Sequence, residues 1–197
     1  MKTVFVIDID TTIADTDERA KLLEKECMLC LDKVPAGKGS LCPTCGSADH
    51  KVSPSSWDAF LGPDVLSLDK PFPKAQAALH AMAVHGMEFH FITGRREGLR
   101  VPTTVWLEEH FGYDPARSSL IMRGPDYENV AASVYKEDAF NRLKRIRGLT
   151  NTSFIFFEDD PYVFRVYQQY GIVIKCPEGW DHWCPEAAAG AEPIWTR

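Results

Sequence analysis

The sequence predicts an α/β fold with a mainly parallel sheet in three layers, and three observations indicate it. The chain begins with an apolar run rich in branched side chains, strand-like and helix-like segments then alternate, and three of the strands end in polar residues. A strand buried on both faces has such a continuous apolar pattern. Alternation of strands and helices implies right-handed crossovers between parallel neighbours.

The bulk composition bounds the size and class of the protein. With 197 residues, 45% of them hydrophobic and 25% charged, the chain can hold one globular domain with a sizeable core and a small insert. A formal net charge of −6 argues against a large non-specific nucleic-acid surface, because such surfaces are basic. A site that grips one phosphate or one strand end remains compatible with that charge.

The sequence contains no sign of membrane insertion or export. No apolar segment approaches the roughly 20 residues of a membrane span, and the N-terminal apolar run carries two aspartates, unlike a signal peptide. We therefore expect a cytoplasmic protein with no membrane contact, and the sequence implies no obligate protein partner. In a reducing compartment, cysteines are metal ligands or free thiols more often than disulfides.

The first predicted strand covers residues 4–7 and runs into two carboxylates, Asp8 and Asp10. Side chains alternate across a strand, so both aspartates leave the sheet end on one side while Ile9 faces the other. Two acids at the end of a buried strand are costly unless a metal ion or another cation compensates them. Taken alone, the stretch is equally compatible with a strand that ends in a capped acidic loop.

The remaining elements follow from apolar periodicity and from the glycines and prolines at their ends. Residues 14–26 are charged and helix-prone. Further along, the pattern predicts helices over 73–85, 104–111, 136–147 and 161–170, and strands over 87–92, 120–123, 153–157 and 172–175. Gly86 and Gly171 follow two of these helices and end them.

Two C-x2-C pairs, Cys27 with Cys30 and Cys42 with Cys45, are separated by eleven residues. Each pair forms a tight turn that can point two thiolates at one tetrahedral Zn²⁺, and Gly46 permits the turn beyond the second pair. The alternative is a set of four unliganded or redox-active thiols. A closed four-thiolate site is structural, because it folds a short segment that has little core of its own.

The cysteine pairs lie in a segment that interrupts the alternating pattern. We expect residues 13–70 to form a small cap insert containing the four-cysteine zinc knuckle, and residues 1–12 and 71–197 to form the core. Such a cap can close over a nucleotide or flank an open groove that admits a strand end.

Three predicted strands end in polar side chains, and ligands of open α/β sheets bind beyond the carboxyl ends of the strands. A lysine also opens a helix between the second and third of these strands. The residues are Asp8 and Asp10, Thr93 and Arg95, Lys136, and Glu158, Asp159 and Asp160. Their order and chemistry predict one shared site. Asp160, which precedes Pro161, could instead be the N-cap of the next helix.

These residues resemble the motifs of the haloacid dehalogenase-like (HAD) phosphohydrolase superfamily. Its first motif is D-x-D-G-T after a hydrophobic strand, and here the run Asp8-Ile9-Asp10-Thr11-Thr12 has threonine in place of the usual glycine. The second motif matches Thr93, the third matches Lys136, and the fourth matches Glu158-Asp159. The resemblance implies a three-layer Rossmann-like HAD core and covers nearly the whole chain outside the cysteine insert.

A closer likeness lies within that superfamily. The run over residues 93–100, then Trp106-Leu107-Glu108, Met122-Arg123 and Lys136, is similar to the 3′-phosphatase domain of bacteriophage-type polynucleotide kinase-phosphatases. The kinase half of those proteins has no counterpart, since the sequence contains no G-x-x-x-x-G-K-[ST] loop. The resemblance implies a substrate that is a phosphorylated nucleotide or nucleic-acid end.

The resemblance also implies roles for individual residues. Asp8 would be the nucleophile that forms an aspartyl-phosphate, and Asp10 would protonate the leaving alkoxide and later take a proton from water. Catalytic Mg²⁺ would be held by Asp8, the Asp10 backbone carbonyl and Asp159, with Glu158 and Asp160 as secondary ligands. Thr93 and Lys136 would hold phosphate oxygens. The expected substrate-binding residues are Thr12, Gly94, Arg95, Arg100 and Arg123.

The sequence therefore predicts a Mg²⁺-dependent phosphomonoesterase that acts on a nucleotidyl phosphate, with the 3′-phosphate of a DNA or RNA end as the first candidate. A mononucleotide phosphatase is the alternative within enzymes, and the acidic net charge suits it better. A zinc-knuckle binding module on an inactive HAD scaffold belongs to a different class, and the replacement of glycine by Thr11 gives it some support.

Overall fold

The computed structural model describes residues 2–23, 25–34, 41–52 and 54–181, so residues 182–197 of the predicted core lie outside the described residues. The strands are β1 (Lys2–Ile7), β2 (Ala14–Asp15), β3 (Lys25–Cys27), β4 (Lys33–Val34), β5 (His50–Val52), β6 (Lys70–Pro71), β7 (Glu88–Arg96), β8 (Leu120–Arg123), β9 (Thr152–Glu158) and β10 (Ile172–Lys175). The α-helices are α1 (Asp17–Ala20), α2 (Pro54–Phe60), α3 (Pro73–Val84), α4 (Arg100–Phe111), α5 (Ala132–Arg147) and α6 (Pro161–Tyr167). Short 3-10 helices cover Pro63–Leu68, Glu97–Leu99, Pro125–Tyr127 and Glu178–Asp181.

The chain divides into two compact units: residues 1–14 with 71–197, here called the core unit, and residues 15–70, here called the insert unit. Among the described residues, no helix is both long and apolar enough to cross a membrane.

The core unit is built on a five-stranded sheet in the order β10-β9-β1-β7-β8, and all of its strand pairs are parallel. The first strand of the chain is therefore the central one. Ile7 pairs in register with Phe91 of β7 and Phe157 of β9, so the residues that follow each strand meet at one edge. The predicted α/β fold with a parallel sheet is confirmed.

One face of this sheet packs against α5 and α6. Val4 and Val6, which alternate with Phe5 and Ile7 along β1, belong to a buried cluster with side chains from both helices. Its aromatic members are packed ring to ring: Phe140 meets Phe154 and Phe156 edge to face with centroids 4.9 and 5.0 Å apart, and Phe156 stacks on Tyr167 at 4.3 Å. The continuous apolar run of β1 is thus explained by burial.

The turn between α6 and β10 requires glycine. A Cβ added at Gly171 would lie 2.2 Å from the carbonyl oxygen of Phe154. No other residue could let the chain pass this close to β9.

Several element boundaries differ from the prediction. Strand β7 continues to Arg96 instead of ending at residue 92, with a register shift against β8 between Ile92 and Arg96. Such an irregularity lets a strand carry polar residues past the core. Helices α4 and α5 begin four residues earlier than predicted, at Arg100 and Ala132, and α6 ends at Tyr167.

The helix predicted over residues 14–26 is wrong. Among the described residues of this segment, only Asp17–Ala20 form a helical turn, and Lys25–Cys27 form β3, the middle strand of an antiparallel sheet in the order β4-β3-β5. Pairing of β3 with β4 and β5 competes with the helical preference of this charged segment and prevails, because tertiary contacts override local propensity.

Few apolar side chains are buried among the described residues of the insert unit, which also contains a buried ion pair. Arg19 and Asp69 are both fully buried, with Nε of Arg19 2.9 Å from Oδ1 of Asp69. The Arg19 guanidinium also lies 4.2 Å from the ring centroid of Phe60 and donates to the Phe60 carbonyl at 3.4 Å. Loss of either partner would leave the other charge buried and unpaired, which is strongly destabilising.

Candidate active site and cysteine cluster

Three charged side chains meet at the carboxyl edge of the core sheet. Asp8 directly follows β1, Glu158 ends β9, and Lys136 lies in the first half of α5; all three are buried. The Lys136 Nζ lies 2.9 Å from Oδ1 of Asp8 and donates to both carboxylate oxygens of Glu158 at 2.9 and 2.8 Å. One ammonium group thus contacts two carboxylates.

Burial disfavours the charged forms of the two carboxyl groups, Asp8 and Glu158. Burial is the largest influence on the pKa of Asp8 and raises it well above its usual range, and the nearby acids raise it further while Lys136 lowers it. Burial also raises the pKa of Glu158. Burial lowers the pKa of Lys136, but the charges of Asp8 and Glu158 outweigh that effect and the net shift is upward. The lysine therefore stays charged, and an additional cation would stabilise the carboxylates.

The loop after β1 is fixed against the loop after β9. Thr12 is fully buried, and its Oγ1 lies 3.4 Å from both Asp8 Oδ2 and Asp159 Oδ1, either of which can accept its proton. The Thr12 carbonyl accepts a 2.7 Å hydrogen bond from the indole N–H of Trp180. Thr11, at the position where the resembled motif has glycine, has a φ of 58°, and its hydroxyl contacts the Asp10 carbonyl and Asp159.

Asp8, Glu158 and Asp159 each offer a carboxylate oxygen within 4.8 Å of the others. Carboxylate oxygens are the ligands that Mg²⁺ prefers, so this donor set fits the cation that the sequence predicts. Both oxygens of Glu158 are already bonded to Lys136. Asp160 does not belong to this cluster; its Oδ1 accepts from the Tyr162 N–H at 2.8 Å and caps α6, which confirms the N-cap alternative.

Arg95, which the sequence predicts to bind substrate, is paired with Asp10 in the structure. Its side chain is fully buried, and Nε and Nη2 donate to the Asp10 carboxylate at 3.1 and 2.7 Å. Pairing of one carboxylate with two donors of a guanidinium fixes the orientation of that carboxylate. The guanidinium thus contacts Asp10 through Nε and Nη2.

The other residues predicted to bind substrate occupy varied positions. Thr93 is fully buried in β7, where its Oγ1 accepts from the Arg95 N–H at 3.2 Å, and Gly94 follows it, half-buried. Arg100 pairs with Glu97 at 2.9 Å and donates to the Leu120 carbonyl. Arg123 donates to two main-chain carbonyls, those of residues 127 and 130, at 3.1 and 2.9 Å. The structure therefore gives Arg100 and Arg123 contacts within the protein.

Three aromatic residues support the site without having been predicted. The Tyr135 hydroxyl donates to the Thr93 carbonyl at 3.0 Å, and the Tyr167 hydroxyl donates to the Lys136 carbonyl at 3.3 Å. Trp180, besides bonding Thr12, stacks on Phe157 with ring centroids 4.2 Å apart. Tyr135 precedes Lys136 on α5, but no local pattern marks Trp180, because the segment around it has no periodicity.

In the insert unit, the four cysteines of the two C-x2-C pairs come together, with all Sγ atoms within 4.8 Å of one another. The pairs Cys27–Cys45 and Cys30–Cys42 approach to 3.5 and 3.4 Å. This exceeds a disulfide bond length. Four thiols at such distances fit one tetrahedral Zn²⁺.

The two cysteine turns have the same backbone pattern. The N–H of Leu31 donates to the Cys27 carbonyl at 3.0 Å, and the N–H of Gly46 donates to the Cys42 carbonyl at 2.8 Å. Both donors have a positive φ, of 62° and 72°. The backbone hydrogen bond from Cys30 lowers the pKa of Cys27 to about 6. At Cys30 the Asp32 N–H lowers the pKa, but the neighbouring thiols outweigh this effect and raise the pKa to about 12, so in the metal-free cluster only some of the thiols favour the thiolate form that binds metal.

Comparison with known proteins adds one finding at the level of fold. No protein-family model matches the chain, and the search of curated proteins found no significant match. Among solved structures, the chain is similar to CbbY from Rhodobacter sphaeroides in complex with phosphate, with 11% identity, a TM-score of 0.53, and coverage of 89% of this chain and 87% of that one. A match at such low identity shows the fold alone, and by this match the chain has a HAD-like fold.

Proposed function

We propose that the protein is a Mg²⁺-dependent phosphomonoesterase that works through an aspartyl-phosphate on Asp8. The observation that carries the proposal is the buried Asp8 carboxylate at the carboxyl edge of the sheet, 2.9 Å from Lys136 and clustered with Glu158 and Asp159. The structural neighbour CbbY, whose crystals contained phosphate, supports it by fold.

Each residue would have a definite task. Asp8 attacks phosphorus and displaces the alkoxide, and Asp10 supplies the proton that the leaving oxygen takes. A water molecule then attacks the phosphorus of the acyl phosphate and gives its proton to Asp10, which releases phosphate and restores Asp8. Lys136 neutralises charge on Asp8 and on the phosphoryl oxygens. Arg95 holds Asp10 in one orientation through its two hydrogen bonds.

Asp8, Asp159 and the Asp10 carbonyl would hold the cation, with Glu158 behind them. Mg²⁺ at this position would neutralise charge on the phosphoryl group and on the clustered carboxylates. The upward shift in the pKa of Asp8 is what makes that neutralisation necessary, because a protonated Asp8 is not a nucleophile.

For the substrate, we propose a nucleotidyl phosphate, and the 3′-phosphate of a DNA or RNA end is the first candidate. The support is the likeness of residues 93–100 and their neighbours to polynucleotide 3′-phosphatase domains. The mononucleotide alternative is favoured by the net charge of −6 and by the engagement of Arg95, Arg100 and Arg123 in contacts within the protein. For the insert unit, we propose one structural Zn²⁺ on the four cysteines.

The test is a hydrolysis panel of 3′-phosphorylated oligonucleotides, 3′- and 5′-mononucleotides and p-nitrophenyl phosphate, each with Mg²⁺ and with EDTA. We expect Mg²⁺-dependent release of phosphate that Asp8→Asn reduces to background. Release from mononucleotides alone would reject the strand-end substrate. No release from any substrate by folded, zinc-loaded protein would reject the phosphatase and favour the binding module.

A further inference from the structure

We propose that Thr11 is a positioning residue of the cation site: its hydroxyl fixes the Asp159 carboxylate in the orientation that binds a divalent cation. The inference rests on the cation site of the proposed function and adds a residue to it. The position is the one at which this chain departs from the glycine of the family motif.

The backbone of Thr11 adopts a conformation that its side chain does not favour. Its φ of 58° lies in the left-handed region, where a side chain branched at Cβ is a strong outlier. Two main-chain hydrogen bonds stabilise the turn. Thr11 N–H donates to the Ala14 carbonyl at 2.9 Å, and Ile13 N–H donates to the Ile9 carbonyl at 2.9 Å. Glycine would form this turn without strain, so the threonine side chain must contribute something that offsets it.

The hydroxyl of Thr11 contacts two of the three groups expected to bind the cation. It lies 2.7 Å from the Asp10 carbonyl oxygen and contacts Oδ2 of Asp159. A hydroxyl has one proton to donate. When a cation takes the Asp10 carbonyl, that proton is committed to Asp159.

The remaining contacts of Asp159 are compatible with this role. Its other oxygen, Oδ1, accepts from Thr12 at 3.4 Å, which is at the long end of the range for hydrogen bonds. A carboxylate has about four acceptor positions, so Thr11 and Thr12 leave room for a cation. Residues that hydrogen-bond to a metal ligand change metal affinity by about 10- to 100-fold when they are lost.

The test is calorimetric titration of Mg²⁺ into the zinc-loaded, Mg²⁺-free protein, without substrate. Thr11→Val keeps the shape and loses the hydroxyl, Thr11→Gly loses the hydroxyl and relieves the backbone, and Thr11→Ser keeps the hydroxyl. Thr152→Val is the matched control, because it removes a hydroxyl at the opposite end of the strand that leads to Asp159. Thermal unfolding of each metal-free variant establishes that it is folded.

We expect the Mg²⁺ dissociation constant to rise about tenfold in Thr11→Val and Thr11→Gly, and to stay within about threefold of wild type in Thr11→Ser and Thr152→Val. Wild-type affinity in Thr11→Gly or in Thr11→Val would overturn the proposal, and so would an equal loss in Thr11→Ser. Because the readout is binding, it is separable from the proposed activity: a protein that hydrolyses nothing but shows this pattern retains the positioning role. Absence of Mg²⁺ binding in the wild-type protein would contradict both the positioning role of Thr11 and the proposed Mg²⁺-dependent activity.

Discussion

The core unit and the insert unit each bring together side chains that could hold a metal ion, but the two sets differ in how much packed core surrounds them. In the core unit, Asp8, Glu158 and Asp159 are clustered at the edge of a sheet whose aromatic side chains are already packed ring to ring. In the insert unit, Cys27 and Cys42 are themselves two of the three residues of a small buried cluster, and the charge pair of Arg19 with Asp69 in the same unit is fully buried. A cation should therefore control chemistry at the first site and folding at the second.

The largest expected effect is on the insert unit. Cys42→Ser, or a chelator that removes Zn²⁺, should unfold residues 15–70, since structural zinc contributes roughly 10–16 kcal/mol in small zinc domains. Hydrogen exchange should show loss of protection in β3, β4 and β5 while the core sheet stays protected. Cys176→Ala is the control, because Cys176 is buried in the core unit and is not one of the four clustered cysteines. Full protection of β3 in metal-free protein would contradict a structural zinc site.

The next effect concerns the charge balance of the core site. Lys136→Met leaves the buried Asp8 and Glu158 without their shared cation and should lower the free energy of unfolding by about 3–5 kcal/mol. Lys144→Met on the same helix is the control: its ammonium lies 4.7 Å from the Phe140 ring centroid, so we expect a loss of about 1 kcal/mol or less. Urea denaturation measures both. Equal losses would show that Lys136 has no special role in compensating the acids.

A smaller effect of opposite sign should follow from Asp8→Asn in metal-free protein. Burial makes the pKa of Asp8 higher in the folded protein than in the unfolded chain, so its stabilising contribution is complete at low pH and is lost as pH rises through the folded pKa. The asparagine variant lacks this loss and should be more stable than wild type at pH 7 by about 0.5–2 kcal/mol. The difference should shrink on acidification. A variant less stable at pH 7 would mean that the Lys136 contact outweighs burial.

The two sites also differ in how far the sequence predicts them. The cysteine cluster follows from local spacing, because two C-x2-C turns position their own thiols. Prediction of the carboxylate site requires the parallel sheet to be predicted first. Residues at the carboxyl ends of neighbouring parallel strands, such as Asp8 and Glu158, then meet at one edge of the sheet. What the sequence could not provide was the pairing of individual side chains. Arg95 binds Asp10 across 85 residues of chain, and the same arginine could equally have faced solvent.

Other features could not be predicted because they also depend on contacts between segments distant in the chain. Thr11 was visible as a departure from the motif, but its contact with Asp159 depends on how two loops approach each other. Trp180 lies in a segment without periodicity and acts through one indole hydrogen bond and one stacked ring. The failed helix over residues 14–26 shows local propensity overridden by strand pairing around the cysteines.

The most direct test of the central claim, that Asp8 and Asp10 have different tasks, is detection of the aspartyl-phosphate. Asp10→Asn and Asp8→Asn would be mixed with p-nitrophenyl phosphate and Mg²⁺, quenched in acid, and analysed by peptide mass spectrometry. The nitrophenolate leaves without a proton donor, whereas hydrolysis of the acyl phosphate needs a base. We therefore expect one phosphate on Asp8 in Asp10→Asn and none in Asp8→Asn. Phosphate on any other residue, or turnover by Asp8→Asn, would contradict the account.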